Sequence, residues 1–231
     1  MLLNKKILHL LLLSTSIAFA QNEDKKPETS ILTLGLLAPT YFYAPRWNVG
    51  YIRKLDRRIW AGLELGYGDF GSAIGIASGG NNLIFKNYKL YEIRPELYYD
   101  LSPSSKVQHL LSAELFYIHH SDVFKDSWYR NDAANLQYTF ESADYQRQKY
   151  GININYSLFL NITKRLAVMP KIGFGIKHRN VQFSNVVNQQ QSNAEFEEGS
   201  YIPSSNDYRK NEGNLTNLNI NLDVKIVYRL N

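Results

Sequence analysis

The chain is 231 residues long, 44% hydrophobic and 13% aromatic with 17 tyrosines, contains no cysteine, and carries a formal charge of +5. The lack of cysteine excludes disulfides, thiolate chemistry and cysteine-based metal sites; the basic residues are few and scattered, so no nucleic-acid partner is expected. Composition does not shift sharply after the N-terminal stretch, which argues for one domain.

Residues 1–20 read as a secretory signal. Lys5 and Lys6 supply the positive start, residues 7–17 an apolar run, and Ala18-Phe19-Ala20 the small-x-small cleavage site before Gln21. That run falls well short of the roughly 20 residues a membrane-spanning helix needs. Residues 21–29 are expected to be a charged, flexible leader, and residues 30–231 the folded domain.

Eight segments then alternate apolar and polar residues with period two, the mark of strands rather than helices. The first shows Leu32, Leu34, Leu36 and Ala38 on its apolar face, and the second runs from Trp47 to Leu55. The third covers 59–67, the fourth 91–101, the fifth 107–117, the sixth 150–160 and the seventh 166–176. Pro95 and Pro170 interrupt the fourth and seventh, and a bulge is predicted at each. The eighth segment, 215–230, is the most regular. Leu218, Ile220, Leu222, Val224, Ile226, Tyr228 and Leu230 share one face, polar residues fill the other, and only Val227 breaks the pattern. Short connections at 56–57, 102–105 and 161–163 alternate with long ones at about 69–85, 119–144 and 181–213. The connection at about 40–46 is short where the pattern wants a long one.

A long strand of this kind needs partners on both edges, which a closed sheet provides; in lipid, closure is the only way to satisfy every backbone group of a sheet. The expected fold is therefore all-β: an eight-stranded antiparallel up-and-down transmembrane β-barrel with short turns at one end and long loops at the other. A soluble lipocalin-like barrel, with its apolar face inward, is the alternative. The polar face favours the membrane form. Glu64, Glu92, Arg94, Glu96, Glu114, Lys149, Lys171, Asp223 and Lys225, interleaved with glycines, suit a narrow lumen packed with side chains. Seven of these, without Glu92 and Lys149, fall at similar depth, so one layer of ion pairs across the lumen is predicted, because an unpaired buried charge is costly.

Local motifs carry little chemistry. Gly66, Gly68 and Gly71 spell G-x-G-x-x-G, but a Gly/Ser/Asn-rich stretch follows instead of a helix, so a flexible loop is expected and no cofactor. Asn161-Ile162-Thr163 and Asn214-Leu215-Thr216 match a glycosylation sequon that has little meaning in a bacterial envelope protein. His119 and Ser121 share one face of the fifth segment and form a His-x-Ser arrangement similar to that of the small-barrel lipid A deacylases. The family's following residues and its nearby downstream Glu are absent, and Glu141 is the nearest carboxylate candidate. His119 and His120 point to opposite faces, which argues against a metal pair. In the long connections, Trp128, Tyr129, Arg130, Tyr138 and Phe140 are candidate contact residues, being types that anchor interfaces; residues 188–193 are a Gln/Asn-rich polar run.

Residues 30–231 resemble the small outer-membrane β-barrel proteins of Gram-negative bacteria, the OmpX-like and OmpA membrane-domain-like group. The resemblance rests on the signal, the eight segments, the loop asymmetry and the ending Ile226-Val227-Tyr228-Arg229-Leu230, with Asn231 where an aromatic is commoner. It implies a place in the cell outer membrane, contact with lipid and lipopolysaccharide, recognition of the last strand by the barrel-assembly machinery, and an unknown extracellular partner for the long loops. Three functions follow as expectations: a non-enzymatic surface or envelope-integrity protein, an outer-leaflet lipid-modifying enzyme, and a narrow channel or carrier of small apolar molecules.

Overall fold

A computed structural model of the chain describes residues 30–41, 44–74, 87–102, 107–131, 136–192 and 210–230. The expected signal and the whole of the expected leader lie outside the described residues. The rest is built almost wholly from strands: β1 (Ser30–Gly35), β2 (Trp47–Lys54), β3 (Ile59–Asp69), β4 (Lys89–Asp100), β5 (Val107–Asn131), β6 (Leu136–Asn161), β7 (Leu166–Val187), β8 (Gln190–Ser192) and β9 (Asn211–Arg229). No described helix is long and apolar enough to cross a membrane.

Every strand except β8 pairs antiparallel with two neighbours, and the order β1-β2-β3-β4-β5-β6-β7-β9 returns to β1. The sheet thus closes into a ring of eight strands. The count differs from the expected eight because β8, a three-residue strand, adds to the outer part of β6 at Gln137, Tyr138 and Thr139 without joining the ring.

The register fixes the shape of the ring. Following partners from Ile31 through Ile52, Gly62, Glu96, Glu114, Asn153 and Gly175 leads to Asn219, whereas Ile31 itself pairs with Arg229; the ring closes with a stagger of ten residues, 219 to 229. With a rise of ~3.3 Å per residue and ~4.8 Å between strands, eight strands so staggered tilt by roughly 40°.

Strand lengths are unequal around the ring. β1 to β4 have 6, 8, 11 and 12 residues, while β5, β6, β7 and β9 have 25, 26, 22 and 19. This corrects the expected loops. Residues 119–144 continue β5 and β6 almost to the hairpin tip, and the described parts of 181–213 belong mostly to β7, β8 and β9, while 193–209 lie outside the described residues. At the tip the sheet curls far enough for Arg130 and Asn131 to pair, in parallel, with Asn211 and Glu212.

Other expectations also change. Ala38 leaves the first strand: β1 stops at Gly35 and a 3-10 turn, Ala38–Thr40, carries Ala38 and Pro39 to buried positions. The bulges predicted at the prolines are absent. Pro95 pairs with Leu63 and Pro170 with Val224 in register; on the other side of each strand the ladder skips pairs and resumes without a shift. A missing N–H removes a bond but does not by itself insert a residue. The shift in the β6–β7 ladder falls instead between Ser142 and Asp144.

Candidate functional site

The two faces of the ring differ in chemistry. Outward positions are apolar and exposed: Leu63 and Leu65 on β3, Ile93 and Leu97 on β4, Leu115 on β5, Ile152 and Ile154 on β6, Phe174 on β7 and Ile220 on β9. Tyrosines bound this band. Tyr67, Tyr91, Tyr117 and Tyr150 mark its upper margin with Trp47, and Tyr99, Tyr156 and Tyr228 its lower one, all exposed. Tyr91 and Tyr99 stand eight residues apart on β4, roughly 20 Å along the ring axis at the tilt above. Soluble proteins rarely expose a contiguous apolar surface of this extent.

Inside, side chains stack in layers. At the turn end Ile31, Ile52, Trp60, Tyr98, Leu110, Phe159, Ala167, Met169 and Val227 form an apolar plug. Val227, the one misfit in the last strand's outer pattern, is there because the inner face becomes apolar at that depth.

Above the plug lie the charges. Lys171 Nζ is 2.9 Å from Glu96 Oε2 and 2.7 Å from Glu114 Oε2. Arg94 reaches Glu92 at 2.6 Å and Glu114 at 2.8 Å, and its Nε lies 3.9 Å from Glu64. Lys225 pairs with Glu64 and stands 3.8 Å from Asp223. Eight of the nine sequence-predicted residues therefore form one connected network. Lys149 stands apart: among the described residues it makes no ion pair, sits over the Phe116 ring at 5.4 Å, and is opposite Arg179 in the β6–β7 ladder.

Sequence reasoning missed much of what completes this network. Arg46, placed in a loop, turns inward and binds Glu92 through both Nε and Nη2, the latter at 3.1 Å. Glycines make room for it. A Cβ on Gly68 would lie 2.3 Å from the Pro45 carbonyl oxygen, and one on Gly66 2.9 Å from Glu92 Cβ. The G-x-G-x-x-G match is thus part of a strand whose inner face admits residues 44–46, ending in a 3-10 turn, Phe70–Ser72, capped by Asp69. Residues 75–85 of that predicted loop lie outside the described residues.

Amides fill the other valences. Asn48 donates to Glu64 and Glu92 at 3.0 and 2.9 Å, Asn153 to Glu114 at 2.8 Å, and Asn155 to Glu96 at 3.0 Å. Asn219 and Asn221 donate to Asn153 and Asn155 in turn, and Ser112 and Tyr98 donate to Glu96. Each buried carboxylate has several donors, the condition for keeping charge away from water. Their common signal was position: each lies on the polar face near a charged residue. The void beside Lys225 and Glu64 leaves no room for a water molecule.

The other candidates are dispersed. His119 and Ser121 do share the outer face of β5, half-buried, but Ser121 pairs with Gln146, so Glu141 lies five residues further along β6, roughly 15 Å away at strand rise. Glu141 instead accepts from Asn188 at 2.6 Å. Among the described residues no carboxylate orients the His119 imidazole as an acyl-transfer base would need. His120 is fully buried inside, edge-on to Tyr88 and Tyr145. The contact candidates also move. Tyr129 and Phe140 are buried in an aromatic cluster with Phe124, Ala143, Tyr145 and Val181, joined by Tyr138 and Phe183. Phe124 stacks on Tyr145 at 4.5 Å and Tyr129 on Phe183 at 4.7 Å. Tyr129 and Phe140 are core, not free contact surface; Trp128 and Arg130 remain partly exposed, with Lys210 Nζ over the Trp128 ring at 4.6 Å. Among the described residues no cluster of three or more His, Asp or Glu could hold a metal ion.

No protein-family model matches the sequence, and no curated protein matches it. The chain is similar to solved structures of outer-membrane proteins. One is a major outer membrane protein from Thermus thermophilus, 11% identical over 88% of this chain and 99% of that one, with a TM-score of 0.42. Another is CarO of Acinetobacter baumannii, 10% identical over 87% of this chain and 96% of that one, with a TM-score of 0.41.

Proposed function

We propose that the chain is a non-enzymatic β-barrel of the bacterial outer membrane, which uses its lumen as a rigid plug and displays the extended β5–β6 and β7–β9 walls at the cell surface, for contact with a partner or for envelope integrity. One observation carries this reading: the apolar face of the closed sheet is exposed and the charged face is buried. A soluble ligand-binding barrel has the reverse arrangement, with an apolar interior. A band of exposed Leu, Ile and Phe between two rows of tyrosine matches the surface that lipid covers in a transmembrane barrel.

In this reading the short turns face the periplasm and the long strands the outside. Lipid and lipopolysaccharide surround the band, and β9 is the strand the assembly machinery recognises. The layered interior speaks against a channel or an apolar carrier, since the plug and the ion network fill the inner face with buried side chains. The separation of Glu141 from His119 and Ser121 speaks against deacylation.

Envelope fractionation followed by detergent gels with and without boiling tests the proposal. Recovery in the outer membrane with faster migration of the unboiled protein is expected. A soluble periplasmic protein without a heat-dependent shift would overturn it.

A further inference from the structure

The turn end of the ring is basic on one side. The turn between β2 and β3 carries Arg57 and Arg58 next to Lys54, the turn between β6 and β7 carries Lys164 and Arg165, and Arg229 closes β9. Because β7, β9, β1, β2 and β3 are consecutive in the ring, these six cations lie along one arc, Lys54 and Arg229 with their charges over the Trp60 and Phe159 rings of the plug. Among the described residues Asp56 is the exposed carboxylate within it; Asp100, on the next turn, is fully buried. None of the six takes part in the internal ion network.

Two of them sit on the margin of the apolar band. Arg58 Nη1 donates to the Tyr99 hydroxyl at 3.1 Å, and Arg165 Nη1 to the Tyr228 hydroxyl at 3.4 Å. Both tyrosines belong to the lower row, exposed on the outer face. Each guanidinium is thus held at the height where apolar surface gives way to polar surface. A lipid whose chains cover Leu97 or Ile226 would bring its phosphate to that height.

The geometry points to a binding arc for anionic phospholipid headgroups at the turn end, centred on the Arg58–Tyr99 and Arg165–Tyr228 pairs. This rests on the transmembrane reading. A planar guanidinium grips a phosphodiester through two parallel N–H bonds, and a tyrosine hydroxyl beside it supplies another donor. Clustered cations near a bilayer favour a headgroup of net negative charge over a zwitterionic one, whose ammonium the same arc repels. Phosphatidylglycerol fits this chemistry, and phosphatidylcholine does not.

The full chain is refolded into phosphatidylcholine vesicles, and lipid retention is read by native mass spectrometry from detergent micelles holding phosphatidylglycerol and phosphatidylcholine in equal amounts. Insertion into phosphatidylcholine, read as protease protection and a heat-dependent gel shift, tests the transmembrane reading alone; failure there removes both claims. Given insertion, phosphatidylglycerol is expected to be retained over phosphatidylcholine by about fivefold or more. The double variant Arg58→Gln/Arg165→Gln should bring the ratio close to one, while Lys125→Gln, an exposed cation on the far wall, leaves it unchanged. If the double variant does not fold, salt replaces it: about 0.5 M salt should abolish the preference in the unmodified chain. Equal retention of both lipids, or a preference that survives the double substitution or the salt, overturns the inference while leaving the barrel intact.

Discussion

Lys171 Nζ, carried on β7, lies 2.7 Å from Oε2 of Glu114 on β5, so the two side chains span the inner face of the strand between them. The same ammonium also holds Glu96 at 2.9 Å. Lys171→Met would leave two buried carboxylates short of their cation, and breaking such a pair costs about 3–5 kcal/mol. The temperature at which the compact gel form converts to the extended one should fall markedly. Lys171→Met/Glu96→Gln, which also removes one of the charges, should recover part of the loss; an unchanged midpoint in the single variant would show that the layer contributes no stability.

Ile154 is 54% exposed at mid-height of the apolar band. Ile154→Arg is expected to impair insertion into vesicles, with a penalty of about 2–4 kcal/mol if that position meets the bilayer midplane. Were the band solvated, the same change would be harmless or would improve solubility. Yield of protease-protected protein separates the two.

A filled interior should not conduct. Planar-bilayer recordings of the purified chain are expected to show no discrete current steps. Stable openings in most insertions would mean that the apolar plug around Trp60, Phe159 and Met169 moves aside.

Phe183 packs against Tyr129 at 4.7 Å and Tyr145 at 5.3 Å, well above the upper tyrosine row. Phe183→Ala removes the ring these two share, at a cost of up to about 3 kcal/mol for a partly buried site. The loss should stay local, because the extension has its own small core. Limited proteolysis is expected to cut the outer part of β5 and β6 faster while the gel shift remains. Loss of the gel shift as well would mean that extension and ring unfold as one unit.

The sequence revealed the ring more readily than the extension, and the reason is a change of pattern. Along β5 up to Tyr117 the outward residues are apolar and the inward ones largely polar. Beyond His120 the pattern mixes: Phe124 and Tyr145 are buried, as are the charged Asp122 and Arg147, while Lys125, Gln146 and Gln148 are exposed. The strand continues, but a search for one apolar face stops where the outward residues cease to be apolar. A loop was the natural reading of 119–144. The charge layer was legible because its members share parity and depth, a matter of counting along strands. Arg46 was not, since its inward path depends on Gly66 and Gly68, twenty residues later, having no side chains.

Closure of the ring joins Ile31 to Arg229 and Leu34 to Ile226, partners from opposite extremes of the folded sequence. Neighbouring strands elsewhere meet through hairpins that can zip as soon as both arms exist, whereas this seam must wait for nearly the whole sheet. The β1–β9 seam, five residue pairs long, is therefore the slowest contact to form and the place where an incompletely folded chain still presents two open edges. Until it shuts, Lys225 on one edge has not met Glu64 across the lumen, so sealing the wall and neutralising the interior are a single event in time.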